Sequence, residues 1–230
     1  GSWLLLAPLA TRDVLRRPRA DLRDHAHGAW LLPSVATCGL TITATDVGRH
    51  GGTATLLWLA AALWALGLAV YLAVTWLIAW RSVAAPFRPD LVTPDSWILL
   101  GGLAIATLAS AHLVDAAREV PVDAWLLQVL RPGTLVVWWL ASAWAPLLLY
   151  AEVWRLDRQT GSLHYMGVWW SAVFPLGMYS SATEATSSAL GVRSMYTVSL
   201  VVFWVALTVW LVVALGWCHR AVRRIRRATR

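Results

Sequence analysis

The sequence predicts an all-α membrane protein in which a bundle of helices crosses the bilayer, and two observations lead to this fold class. Of the 230 residues, 59% are hydrophobic and 13% are charged, whereas soluble domains are about 45–50% apolar and about 25% charged. Long apolar runs also recur along the chain, and a helix of about 20 such residues crosses a bilayer. The composition therefore excludes a disordered chain, a disulfide scaffold and an ordinary cytosolic enzyme.

Six apolar runs are long enough, or nearly so, to be transmembrane spans. The predicted spans cover residues 30–45, 54–80, 97–115, 134–154, 169–188 and 196–218. Residues 3–10 are also apolar, but this run is too short to cross a bilayer, and we interpret it as the end of a seventh helix. We expect residues 1–230 to form a single transmembrane domain, a fragment of a longer chain, that ends in a basic tail at residues 219–230.

The arginines predict which ends of the spans face the cytoplasm. All 19 basic residues are arginines, and fifteen of them fall on one side of the predicted membrane, in residues 11–29, 81–96, 155–168 and 219–230. Cytoplasmic loops carry the excess of basic residues, so the C-terminus is predicted to be cytoplasmic and the membrane to be the plasma (inner) membrane. A basic tail is also typical of nucleic-acid-binding segments. Its place after the last span favours the topological interpretation, with the lipid bilayer and no nucleic acid as partner.

Small and hydroxylic residues are concentrated in alternate spans. Ser, Thr and Gly make up 18 of 55 residues in the first, third and fifth spans but only 9 of 71 in the second, fourth and sixth. Helices that face lipid are bulky and apolar, whereas helices that line a cavity are smaller and more polar. The alternation predicts helical hairpins, each with an inner helix followed by an outer one. The alternative is that these small residues only allow helices to pack closely.

A few polar groups and prolines inside the spans are the candidates for function. Pro33 and Pro175 each remove a backbone donor and are predicted to kink the polar first and fifth spans. Glu184 is a possible proton-coupling carboxylate, because an ionisable group at membrane depth is a functional candidate. The predicted pore-lining hydroxyls are Thr37, Thr41, Thr107, Ser110, Ser181 and Thr183. Enzyme motifs and paired histidines are absent from the sequence, so we expect no catalytic residue, no cofactor and no metal.

Three segments resemble the tellurite-resistance/dicarboxylate transporter family, which includes TehA-like proteins and the slow-type anion channels of plants. They are WWSAVFPLGMY at residues 169–179, WLLPSVAT at residues 30–37, and PDSW at residues 94–97 leading to GGLAI at residues 101–105. The resemblance implies a ten-helix bundle of five hairpins with kinked inner helices around a pore, assembled as a homotrimer. This chain would supply the last six helices and the end of the fourth.

The resemblance also implies a function and a gate. Channel-like members of the family close their pore with a phenylalanine ring, and Phe174 matches that position. We therefore expect an anion channel or transporter for small inorganic or dicarboxylate anions. One alternative is a proton-coupled dicarboxylate or sulfite exporter, which would need Glu184. Another, from a different class, is a non-transporting membrane scaffold or redox subunit.

Overall fold

The computed structural model of the chain describes residues 12, 26–84, 94–158 and 167–228. Within these residues the prediction of an all-α fold is confirmed, and six helices lie where six spans were predicted. The helices are α1 (Leu32–Gly51), α2 (Ala54–Ala84), α3 (Ile98–Glu119), α4 (Ala124–Arg158), α5 (Trp170–Leu190) and α6 (Arg193–Ala228). The short apolar run at residues 3–10 lies outside the described residues.

Four of these helices, α2, α3, α4 and α6, are long and apolar enough to cross a membrane. The other two, α1 and α5, are the helices richest in hydroxyl groups, which lowers their apolar content. Most of the helices are longer than the predicted spans: α4 begins ten residues earlier, at Ala124, and α6 continues to Ala228. Hydropathy marks only the part of a helix that lies in hydrocarbon, whereas backbone hydrogen bonding continues into the polar flanks.

Each of the helices α1, α3 and α5 is preceded by a short 3-10 turn that contains a tryptophan. These turns are Gly28–Leu31, Pro94–Trp97 and Gly167–Trp169, with Trp30, Trp97 and Trp169. The helices α1 and α5 are followed by Gly52 and Gly191, whose φ angles of 61° and 71° favour a residue without a Cβ atom. Each glycine begins a two-residue turn that leads directly into α2 or α6, so the same hairpin pattern occurs twice in the chain.

The helices form an inner row and an outer row around α3. Helix α3 packs between α1 and α5, and it also contacts α2 and α4. In its most apolar stretch, 89% of the residues are buried, compared with 22% in α2, 22% in α4 and 17% in α6. Helix α2 covers α1 and α3, α4 covers α3, and α6 covers α5. The arrangement agrees with the predicted hairpins, in which an inner helix is followed by an outer one.

Hydrogen bonds from side chains to backbone carbonyls hold the first three helices together. Ser34 Oγ on α1 donates to the carbonyl of Gly67 on α2 at 2.7 Å. From α2, Tyr71 OH donates to the Leu99 carbonyl at 2.9 Å, and Trp64 Nε1 donates to the Ala106 carbonyl at 2.9 Å. Both acceptors lie on α3, so α2 is tied to both inner helices that it covers.

A second set of polar contacts connects α4, α5 and α6. Ser180 on α5 and Ser199 on α6 each donate a hydroxyl hydrogen to the other residue's carbonyl, at 3.0 and 2.9 Å. The hydroxyls of Ser142 on α4 and Tyr179 on α5 are 2.6 Å apart. The ring of Trp138 stacks on Tyr179 with 6.3 Å between ring centroids. These contacts position α5 against the outer helices α4 and α6.

Candidate functional site

The candidate site is the face of α1, α3 and α5 that the outer helices leave uncovered, which we call the open face. On α5 it carries Phe174, Gly177, Ser181, Glu184 and Ser188, which recur every three or four residues and therefore share one side of the helix. All five are exposed or half-buried. An added Cβ atom at Gly177 would meet no atom within 4 Å, so this side of α5 borders open space.

Phe174 lies on the open face where α5 meets α3. Its side chain is 40% exposed, and its Cε1 atom lies 3.4 Å from the position that a Cβ atom on Gly101 would occupy. The Pro175 ring is closer still, with its Cγ atom 3.1 Å from the same position. A glycine on α3 therefore leaves the space in which the Phe174–Pro175 segment sits.

The two prolines predicted to kink helices have different positions. Pro175 lies inside α5, where its missing N–H removes one intrahelical hydrogen bond. Pro33 lies in the first turn of α1, where no intrahelical partner exists for an N–H group. The prediction of a kink at Pro33 is therefore wrong, because a proline in the first turn fits a helix without distorting it.

Five of the six predicted pore-lining hydroxyls are buried in the structure. They donate hydrogen bonds to carbonyls of their own helix, at distances of 2.7–3.2 Å; they are Thr37, Thr41, Thr107, Ser110 and Thr183. Thr183 also accepts a hydrogen bond from Trp138 Nε1 at 3.0 Å. Ser181, the sixth, is exposed on the open face. A hydroxyl whose hydrogen is already donated to a carbonyl has no donor left for an anion.

The carboxylate of Glu184 also lies on the open face. The residue is exposed, and its Oε1 atom accepts a hydrogen bond from Ser188 Oγ at 3.3 Å. The structure thus brings Phe174, Ser181 and Glu184 onto one side of α5. The buried hydroxyls lie instead where the helices pack together.

A cluster of ionisable side chains connects α1 and α3 at the end of the bundle where both helices terminate. Asp46 Oδ1 on α1 lies 3.4 Å from His112 Nδ1 on α3. Arg49 Nε on α1 donates to Glu119 Oε2 on α3 at 2.6 Å, and a second bond from its Nη2 atom makes the pair bidentate. The cluster fixes the relative position of two inner helices at this end.

A third inner helix is attached at the same end through Arg118. Its guanidinium contacts Asp115 at 3.2 Å and also donates to the carbonyl of Ala189 on α5. Sequence reasoning did not find this cluster. A signal was present: an Asp followed three residues later by an Arg occurs at the end of both α1 (Asp46 and Arg49) and α3 (Asp115 and Arg118).

Sequence reasoning also missed a buried ion pair near the C-terminal end of α4, at the other end of the bundle from this cluster. Glu152 and Arg155 are 8% and 4% exposed and are hydrogen-bonded to each other. The Arg155 guanidinium lies 5.3 Å from the centroid of the Trp169 ring, just before α5. Among the described residues, no group of three or more His, Cys, Asp or Glu side chains is placed to hold a metal ion.

Comparison with known proteins identifies the family. The family model for voltage-dependent anion channels matches residues 4–218. An uncharacterized membrane protein of Mycobacterium tuberculosis is 33% identical over 162 residues, which are 70% of this chain and 81% of the relative. An uncharacterized transporter of Methanocaldococcus jannaschii is 22% identical over 197 residues, which are 82% of this chain and 54% of the relative.

The chain spans about half the length of its archaeal relatives. No solved structure matches it. The family match includes helices α1 to α5 in full and α6 as far as Cys218. A match of this extent, together with a bundle of apolar helices, shows that the chain is a membrane protein and belongs to the voltage-dependent anion channel family.

Proposed function

We propose that the protein conducts small anions across the plasma membrane along the open face of α1, α3 and α5, with the Phe174 ring as the restriction. The observation that carries this proposal is the placement of Phe174. It is a large apolar side chain, 40% exposed, that sits at the junction of two inner helices against Gly101. The ring therefore projects from a fixed base at the surface along which an anion would pass.

The lining in this proposal is mostly uncharged. On α5 the open face offers the Ser181 hydroxyl and the bare backbone at Gly177, and on α1 it offers Gly39 and Thr43, which lie one helical turn apart. Such a surface replaces only part of an ion's hydration shell, so it selects by width and by the cost of dehydration. This favours small inorganic anions, and extended dicarboxylates where the ring moves aside.

Further inner helices complete the ring around the pore in this proposal, and the protein assembles as a homotrimer with its C-terminus in the cytoplasm. The resemblance to TehA-like proteins supports the ring and the trimer. The fifteen arginines on one side of the predicted spans support the orientation.

The test is anion flux through the full-length protein in proteoliposomes, with and without Phe174→Ala. We expect the substitution to raise the flux of chloride and nitrate several-fold, because removing the ring widens the narrowest point. Phe203→Ala is the matched control: Phe203 is 48% exposed but lies on the outer helix α6. Equal flux in the Phe174→Ala variant and in the unaltered protein would refute the assignment of the gate.

A proton-coupled exporter of dicarboxylates or sulfite is the second candidate function, and the position of Glu184 favours it. This carboxylate shares the open face of α5 with Phe174 and Ser181, so it is accessible to both a proton and a passing anion. In a coupled exporter, Glu184→Gln abolishes flux driven by a pH gradient. In a passive channel, the same substitution leaves flux driven by the anion gradient unchanged.

A further inference from the structure

A cavity of about 370 Å³ lies between the outer helices α2 and α4, away from the open face. At one end of the bundle these two helices approach each other: the rings of Trp58 and Trp125 lie 5.1 Å apart, and Gly133 faces Trp64. At the other end they diverge. The described residues that define the walls of the resulting cavity include Ile78 and Arg81 from α2, Leu99 from α3, and Trp144, Leu147 and Ala151 from α4.

The cavity lies on the apolar outer surface of the bundle. Val83 and Leu147 both line it and are 87% and 58% exposed, so it is accessible from the side of the bundle that faces lipid. Its walls are mainly aliphatic and aromatic. An elongated hydrocarbon chain fits such a groove, because it replaces contacts that α2 and α4 do not make with each other.

Two polar residues also belong to the walls of the cavity. Thr75 lines the cavity, and its buried Oγ1 atom has no hydrogen-bond partner in the described part of the chain. Arg81 lies at the wall near the end of α2, and one of its guanidinium N–H groups donates to the Ala26 carbonyl at 2.7 Å. A guanidinium carries several further donors in a planar fork that suits a phosphate.

We infer that this cavity, which we call the α2–α4 cavity, binds a phospholipid with a negatively charged headgroup. One acyl chain lies between α2 and α4 along Ile78 and Leu147, the phosphate contacts Arg81, and an ester oxygen accepts a hydrogen bond from Thr75. Charge complementarity selects this occupant, because Arg81 lies in the last turns of α2 beside Trp80, at the level where tryptophans mark the headgroup region. The inference is independent of the proposed anion transport.

The test is lipid retention by the full-length protein, measured by native mass spectrometry after incubation with phosphatidylglycerol or phosphatidylcholine. We expect the unaltered protein to retain phosphatidylglycerol in preference to phosphatidylcholine. Arg81→Gln should reduce phosphatidylglycerol retention several-fold, whereas Arg81→Lys should preserve most of it. Ala151→Phe should abolish retention by filling the cavity, and Arg131→Gln, an exposed arginine on α4 outside the cavity, should have no effect.

Three results would overturn the inference. The first is equal phosphatidylglycerol retention by Arg81→Gln and the unaltered protein. The second is displacement of the retained lipid by free inorganic phosphate, which would mean that the acyl chain contributes nothing. The third is a change in subunit number with Ala151→Phe while lipid retention stays constant, because the cavity would then be a contact between copies of the chain. Thermal unfolding of each variant confirms that the fold is intact.

Discussion

The contact between Gly101 and the Phe174–Pro175 segment leads to a specific prediction for the stability and the anion flux of Gly101→Ala. A Cβ atom at this position would lie 3.1 and 3.2 Å from two atoms of the Pro175 ring and 3.4 Å from Phe174 Cε1. The proline ring is joined to the backbone at both ends and cannot rotate away. The added methyl group therefore forces α3 and α5 apart by a few tenths of an ångström.

The magnitude follows from two opposing effects. Replacing glycine by alanine inside a helix stabilises it by about 1 kcal/mol. Overpacking a tight interface costs about 1–3 kcal/mol. Gly39→Ala on α1 is the matched control, because a Cβ atom there would meet nothing within 4 Å. We therefore expect the free energy of unfolding of Gly101→Ala to be about 1–3 kcal/mol lower than that of Gly39→Ala.

The assay is reversible unfolding of the full-length protein in bicelles, combined with anion flux in proteoliposomes. We expect lower flux with Gly101→Ala, because the displaced Phe174 ring moves further across the open face. In the presence of Phe174→Ala, the same glycine substitution should leave the flux unchanged. If Gly101→Ala and Gly39→Ala unfold with the same free energy, the close contact between α3 and α5 does not exist and the reasoning fails.

Three further predictions concern packing and topology. Ser180→Ala and Ser199→Ala should each destabilise the protein by about 0.6 kcal/mol, and the double variant should depart from the sum of the two, because the hydroxyls lie 3.4 Å apart and residues in contact are coupled. Glu152→Gln should cost about 3–5 kcal/mol, measured by unfolding, because it leaves the Arg155 charge buried without its partner. Cys218, which is exposed, should react with an impermeant maleimide from the cytoplasmic side of sealed vesicles. The other cysteine, Cys38, is buried and should not react.

Each of these predictions has a control in the same helix or the same vesicle. Ser181→Ala removes an exposed neighbour of Ser180 and should leave stability unchanged. Asp157→Asn removes a carboxylate that is 79% exposed on α4, and a drop as large as that of Glu152→Gln would contradict the role of burial. If Cys218 is labelled only after the vesicles are opened or inverted, the tail lies on the cytoplasmic side, as predicted. Labelling from the outside would reverse the predicted orientation.

The number and order of the helices were predictable from the sequence, because hydropathy reports directly on which backbone segments lie in hydrocarbon. The inner and outer rows were also predictable, since composition alternates from hairpin to hairpin. The ends of the helices were not. Helix α4 continues through Pro132 and Gly133 to Ala124, although both residues disfavour helices, because packing against α3 outweighs local propensity.

The site was predictable in part. A hydroxyl in an inner span can face either the pore or a neighbouring helix, and the sequence does not distinguish these positions. The structure places Thr41 and Thr107 in the packed interior and Ser181 on the open face. The polar contacts between α1 and α3 join residues 66 and 70 positions apart. Partners at such distances are set by the way helices pack, which a single sequence does not specify.

The side-chain hydrogen bonds between helices described above fall into two groups. Those of Ser34, Tyr71 and Trp64 connect α1, α2 and α3, and those of Trp138 and Ser180 connect α4, α5 and α6. Of the hydrogen bonds described above, the one from the Arg118 guanidinium crosses from the first group to the second, and it lies at one end. Along the rest of the boundary the contacts described are apolar, such as Gly101 against Pro175, so a displacement of one group relative to the other would change apolar packing more than hydrogen bonding. Phe174 lies on that boundary, so a displacement of α5 relative to α3 would move the ring across the open face.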